Sequence, residues 1–178
     1  LFPIPNGVSY NSYLIMDEKT ALMDTVDASI SRLFFENVDH VLNGRTLDYL
    51  IVNHMEPDHC ANIDELVRRY PDMKVVGNAK TLQFFNQFYH MDLEGRTVIV
   101  KENDTLNLGA HTLRFLMAPM VHWPEVMISY EESEKVLFSA DAFGTFGAPG
   151  GTVFNDEIDF DRDWLEDARR YYSNIVGK

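Results

Sequence analysis

A single cysteine, Cys60, stands in the 178 residues, which excludes a disulfide within the chain and fits a reducing compartment such as the cytoplasm. Basic residues are scarce as well: 15 Lys and Arg against 28 Asp and Glu give a net charge of −13. Neither nucleic acid nor an anionic membrane surface is therefore expected as a partner, since both would repel the chain. No apolar run approaches the roughly 18 to 20 residues that a membrane-spanning helix needs. The opening Leu1-Phe2-Pro3-Ile4-Pro5 lacks the basic start and long apolar core of a secretory signal. It also lacks Met, so residues upstream are expected. Internal repeats and low-complexity tracts are missing. The one glycine-rich stretch, Gly144 to Gly151, has no phosphate-loop lysine and does not match the dinucleotide fingerprint. It reads instead as a mobile wall or entrance beside a site.

What is present is a core. With 46% apolar residues, the length suits one domain over residues 1–178. Ser12 to Met16 and Thr20 to Asp24 flank the polar Asp17-Glu18-Lys19, the pattern of a hairpin. Ile30, Leu33, Phe34, Val38, Val41 and Leu42 recur at helical spacing and Asn43-Gly44 supplies the stop. Tyr49 to Val52 reads as a buried strand, Ala61 to Tyr70 as a helix with Ile63, Leu66 and Val67 inward, Lys74 to Val76 as a strand, and Ala79 to Tyr89 as a helix. Strands then dominate, at Thr97 to Val100, Thr112 to Met117, Glu125 to Ser129 and Lys135 to Ser139. A last helix runs from Asp161 to Ile175 with Trp164, Leu165, Ala168, Tyr171 and Tyr172 on its apolar side. Interleaved strands and helices followed by strands imply mixed sheets covered by helices.

The chemistry concentrates in His54-Met55-Glu56-Pro57-Asp58-His59, directly after the apolar strand. Side chains two apart in an extended chain share a face, so His54 and Glu56 can converge, and Pro57 pushes Glu56 toward the extended conformation this needs. Asp58 and His59 follow where the chain turns and can reach a second point, so one loop could serve two metal ions. His122 and Asp141 both sit just past strand ends, and a carboxylate such as Asp141 can bridge two cations. Such a polar loop can also stand simply solvated, but two further ligand types downstream argue for a site. Imidazole mixed with several carboxylates suits iron or manganese, whereas thiolate-rich or purely histidine sets favour zinc.

These residues, with Val-His122-Trp-Pro, Leu-Phe-Ser-Ala-Asp141-Ala-Phe-Gly and the opening Gly7-Val8-Ser9-Tyr10-Asn11-Ser12-Tyr13-Leu14-Ile15, resemble the metallo-β-lactamase-like domain of flavodiiron proteins over nearly the whole chain. Hydrolases of the wider fold usually carry a second histidine where this chain has Glu56. The resemblance implies an α+β fold, an αββα sandwich, holding two non-haem irons that reduce O2 to water, NO to N2O, or both. It implies that His54, Glu56 and His122 bind one iron and Asp58 the other, that Asp141 bridges them, and that His59 reaches the second iron or stands beside it. It further implies FMN on a C-terminal flavodoxin-like domain, an electron donor such as rubredoxin, and a head-to-tail homodimer. Members also carry another iron-binding histidine beyond the last helix. Neither that histidine nor the FMN domain precedes Lys178, so a piece truncated at its C-terminus is expected.

Around the motif, Cys60 can tune the site or simply fill a small buried space, and Trp123, Phe143 and Phe146 can line a dry pocket for a small gas or pack as ordinary core. Tyr10 stands as a proton donor near the irons or as a space-filling strand residue. His40, His90 and His111 have no ligand-like neighbours in sequence and read as surface or capping residues. Three other functions stay open: an oxygen-binding di-iron sensor, a zinc hydrolase of the shared fold, which Glu56 disfavours, and an inactive fragment.

Overall fold

The computed structural model describes residues 4–175; the readings of Leu1 to Pro3 and of the ending at Lys178 lie outside them. The expected hairpin is present, with β1 (Tyr13–Met16) antiparallel to β2 (Thr20–Met23). From β2 the sheet continues in parallel through β3 (Tyr49–Ile51), β4 (Lys74–Gly77) and β5 (Thr97–Ile99), in the order β1-β2-β3-β4-β5. Parallel neighbours need long crossovers. These hold α1 (Ser31–Leu42), the short α2 (Pro57–Cys60) with α3 (Ile63–Arg69), and α4 (Ala79–Phe88).

Alternation along the strands explains why this sheet reads as continuous apolar runs, since both its faces are covered. Leu22, Leu50 and Val75 pack with Phe34, Val38, Leu66 and Phe85 of the helices. Their neighbours Ala21, Met23, Ile51 and Val76 meet Leu113, Phe115 and Met127 of the second sheet. Full burial of each large apolar side chain stabilises by about 1.5–3 kcal/mol, so the two layers together fix the register of β2, β3 and β4.

The second sheet, β6 (Thr105–Asn107), β7 (Thr112–Met117), β8 (Met127–Glu131) and β9 (Val136–Phe138), is antiparallel throughout. Only the first sheet is mixed, not both as the element order suggests. β6 has no counterpart in the sequence reading, and β8 begins at Met127 rather than Glu125. In α1, Leu33 and Val41 are 55% and 47% exposed while Phe35 is buried, because the helix turns a narrower face to the sheet than its apolar residues span. Asn43 ends it in the left-handed conformation, φ 47°.

The last helix is two pieces, α5 (Phe160–Asp163) and α6 (Leu165–Ile175). The chain breaks at Trp164, whose ring packs on Gly147. Tyr172 faces out, 42% exposed, and does not join the buried side. The glycine-rich loop is anchored rather than loose, since Gly147 bridges Val8 and the Ala148 N–H donates to the Asn6 carbonyl at 2.8 Å. Among the described residues no helix is long and apolar enough to cross a membrane.

Candidate metal centre

The chain leaves β3 by pairing once more, Val52 N–H to the Val76 carbonyl at 2.9 Å, and then joins the two sheets at Asn53. The Asn53 carbonyl accepts from Met127 N–H at 3.0 Å, its side-chain oxygen accepts from Ser129 Oγ at 2.7 Å, and its own N–H donates to Asp24 Oδ1 at 2.7 Å. His54 is therefore delivered, fully buried, to the seam between the sheets. Glu56 keeps the extended conformation (φ −69°, ψ 148°) that Pro57 demands, and Pro57 then starts α2, which carries Asp58 and His59.

The spacing argument holds in space. His54 Nε2 lies 3.4 Å from Glu56 Oε2 and 3.4 Å from Asp141 Oδ2. His122 Nε2, from the β7–β8 loop, lies 2.9 Å from the same Glu56 oxygen and 3.1 Å from the same Asp141 oxygen. The other Asp141 oxygen, Oδ1, is 2.8 Å from His59 Nε2, which is 3.7 Å from Asp58 Oδ2. Two donor groups result, His54, Glu56, His122 and Asp141 in one and Asp58, His59 and Asp141 in the other, each with its ligand atoms within 4.8 Å. Asp141 stands in both. His40, His90 and His111 stand in neither, and His111 instead meets Asp17.

The electrostatics fit cations. Burial opposes a charge on His54, yet Asp141, Glu125 and Glu56 override it and raise its pKa to about 11. Burial likewise opposes a charge on His59, and Asp141, Asp24 and Asp58 still raise its pKa. Asp141 is pushed far below the carboxylate range by His54 and His59 despite its burial. Carboxylate charge is thus in excess, and His54 Nε2, which faces Glu56 and Asp141, is buried without a hydrogen-bond partner, as is expected where a polar atom awaits a ligand. A mixed imidazole and carboxylate set with no thiolate suits iron. Asp24, Met120, Ala140 and Phe143, all flanking the cluster, have φ between 51° and 69°, and strained backbone of this kind concentrates at functional sites.

A cleft of about 700 Å³ opens onto the first group, lined by Glu56, His122, Trp123, Phe84, Phe88 and Met120 among others. Trp123 stands edge-on to His54 with ring centres 5.3 Å apart and lines the same cleft. Phe143 is 71% exposed and Phe146 packs on Tyr171; neither lines this cleft. Cys60 belongs to the helix-side core, and its thiol donates to the Met55 carbonyl at 3.2 Å. Burial pushes that thiol up to about 11, well above the range of a reactive thiolate. Tyr10 is half-exposed, and burial, Asp27 and Asp58 raise its pKa, which places its hydroxyl in the field of the second group.

Three residues escape the sequence reading. Glu125 is fully buried behind His54, Asp24 is buried 3.9 Å behind His59, and the Tyr171 hydroxyl of α6 faces Asp141. Burial first, then Asp141, Asp58 and Glu56, keep that hydroxyl protonated. The one local signal is for Glu125, a carboxylate three residues after His122 where an apolar strand begins.

A family model described as ODP family beta lactamase matches residues 8–171. The anaerobic nitric oxide reductase flavorubredoxin of Shigella dysenteriae serotype 1 is 40% identical over 171 residues, covering 96% of this chain and 35% of its own length. Among solved structures, the flavodiiron protein of Giardia intestinalis matches with a TM-score of 0.89 at 28% identity, over 97% of this chain and 41% of that one. The rubredoxin oxygen:oxidoreductase of Desulfovibrio gigas matches with a TM-score of 0.88 at 35% identity, over 97% and 42%. The chain spans well under half the length of each of these relatives.

Proposed function

This chain belongs to the ODP family of β-lactamase-like domains, and we propose on that premise that it is the di-iron domain of a reductase for dioxygen, nitric oxide or both. The observation that carries the reading is Asp141, whose two oxygens face two separate donor groups. His54, Glu56 and His122 would hold one iron, Asp58 and His59 the other, with Asp141 common to both. When bound, the pair of irons supplies the electrons that reduce a diatomic gas.

The chain's own residues set the conditions. Glu56, Asp58 and Asp141 offset most of the charge of two divalent ions and favour a further loss of electrons. Trp123, Phe84 and Phe88 give the cleft apolar walls, which suit a small gas and exclude water. The Tyr171 hydroxyl holds a proton beside Asp141, where reduction of either gas consumes protons.

Electrons would reach the site from FMN on a flavodoxin-like domain, fed by a donor such as rubredoxin, in a homodimer. The names flavorubredoxin and rubredoxin oxygen:oxidoreductase of the relatives support that supply. The chain itself is read as one metallo-β-lactamase-like domain, and its lone buried thiol suits the cytoplasm.

Metal analysis of anaerobically purified protein tests the reading. Close to two irons per chain are expected, falling to one or fewer in Asp141→Ala, and the chemically reduced protein should consume O2 or NO in a single turnover. Zinc in place of iron, with hydrolysis of a thioester or lactam, would overturn it.

A further inference from the structure

Glu125 is a buried carboxylate that stands in neither donor group yet hydrogen-bonds a donor, His54. Its Oε1 lies 2.7 Å from His54 Nδ1 and accepts the Met55 N–H at 2.9 Å, and both Glu125 and His54 are wholly buried. Its other oxygen, Oε2, has no hydrogen-bond partner. Burying a carboxylate with half its acceptors idle is costly for a group whose only role is packing.

Its backbone is equally constrained. Asn78 Nδ2 donates to the Glu125 carbonyl at 2.6 Å while Asn78 Oδ1 caps the start of α4 through the Lys80 and Thr81 N–H groups, both at 3.0 Å. On another side the Trp123 ring stands at 90° to the imidazole. His54 is thereby held on its Nδ1 edge by an acceptor-only group, and Nε2 is left pointing into the cluster without a partner.

An imidazole that donates Nδ1–H presents a lone pair at Nε2, and it is the lone pair that binds a metal. We infer that Glu125 is a positioning residue that fixes His54 as the Nδ1–H form, oriented with Nε2 toward the metal. The inference rests on the reading of His54 as a metal ligand. Seventy-one residues separate the pair in sequence, and β8 starts at Met127, which leaves Glu125 outside the ladder.

Zinc(II), which is redox-silent, is the probe, titrated into the full metal-depleted chain against a competing chelator. Glu125→Gln keeps the shape but removes the charge and lets the amide turn an N–H toward Nδ1. It should weaken the tighter zinc site by about 10–100-fold while the melting temperature of the metal-depleted protein stays within a few degrees of the parent. Wild-type zinc affinity in that variant would overturn the inference. Imidazole nitrogen NMR of the unaltered, zinc-loaded chain needs no variant to fold. A proton on His54 Nδ1 supports the assignment, and a bare Nδ1 sinks it. If the parent chain takes up no metal at all, the metal-centre reading fails, whereas zinc uptake by the parent with unchanged affinity in Glu125→Gln fails the inference alone.

Discussion

His111 and His54 both meet a carboxylate through Nδ1, at 2.8 Å from Asp17 and 2.7 Å from Glu125, yet only one of them faces a cluster with its other nitrogen. His111 is part-buried at the seam between the hairpin turn and the second sheet, and Asp17 also accepts its backbone N–H at 2.7 Å. The hydrogen bond that His111 makes to Asp17 raises the His111 pKa above 6.5, and the bonds that Asp17 accepts from His111 lower its own below 3.8. A raised imidazole contributes stability that is complete below about 6.5 and is lost as pH rises through its folded value. A depressed carboxylate contributes stability that is complete above about 3.9 and is lost as pH falls through its folded value. The pair is therefore whole between those limits. His111→Gln should lower the melting temperature most between about pH 4 and 6.5, and the deficit should shrink as pH rises further. Melting curves of both proteins across pH 4 to 9 check this, and a deficit that stays constant to the alkaline end would refute the pairing as its cause.

The break between α5 and α6 shows how one contact between segments sets an element. Gly147 has φ 118°, and a Cβ built there would lie 1.9 Å from the Trp164 ring. No side chain fits without moving the indole, and the indole sits where α5 passes into α6, the helix that carries Tyr171 to the donor cluster. Gly147→Ala should cost about 1–3 kcal/mol from overpacking and more from its backbone conformation. A fall of roughly 5 °C or more in melting temperature is expected for a chain of this size, with a change in tryptophan fluorescence. An unaltered melt would mean that the ring is free to move away.

The same contact explains what local pattern could and could not reveal. The hairpin, α1, β3, α3, β4 and α4 announce themselves through period and stop signals, because each buries a face that its own residues define. The break at Trp164 depends on a glycine in another segment, so helical spacing runs straight through it. β6 has one apolar residue, Leu106, between two polar ones, too short an alternation to count. β8 follows Pro124 and Glu125, so the local pattern starts it at Glu125, whereas its true start is chosen by pairing with β7 and by the Met127 bond to Asn53. The ligand loop was legible because four donors share six residues. Glu125, Asp24 and Tyr171 meet the loop only through strand and helix placement, which no local spacing encodes.

Six donors come from three segments, the loop after β3, the β7–β8 loop and the turn after β9, and they meet at the seam between two sheets that otherwise touch through apolar side chains. A bound ion would tie the sheets together there and offset part of a net charge of −13, which otherwise favours expansion. Binding to the folded state alone stabilises by about 2.7 kcal/mol at a free ion concentration one hundred times the dissociation constant. For a chain of this length that is roughly 5–10 °C per site. Melting the metal-depleted protein with increasing zinc(II) or anaerobic iron(II) should raise the transition progressively, and excess chelator should reverse it. The two donor groups differ in number and burial of ligands, so the rise should come in two stages, the four-donor group filling first. Asp141→Ala should flatten both stages at once because its carboxylate serves both groups. Loss of one stage alone would show instead that the two groups bind independently, and that the shared carboxylate does not couple them.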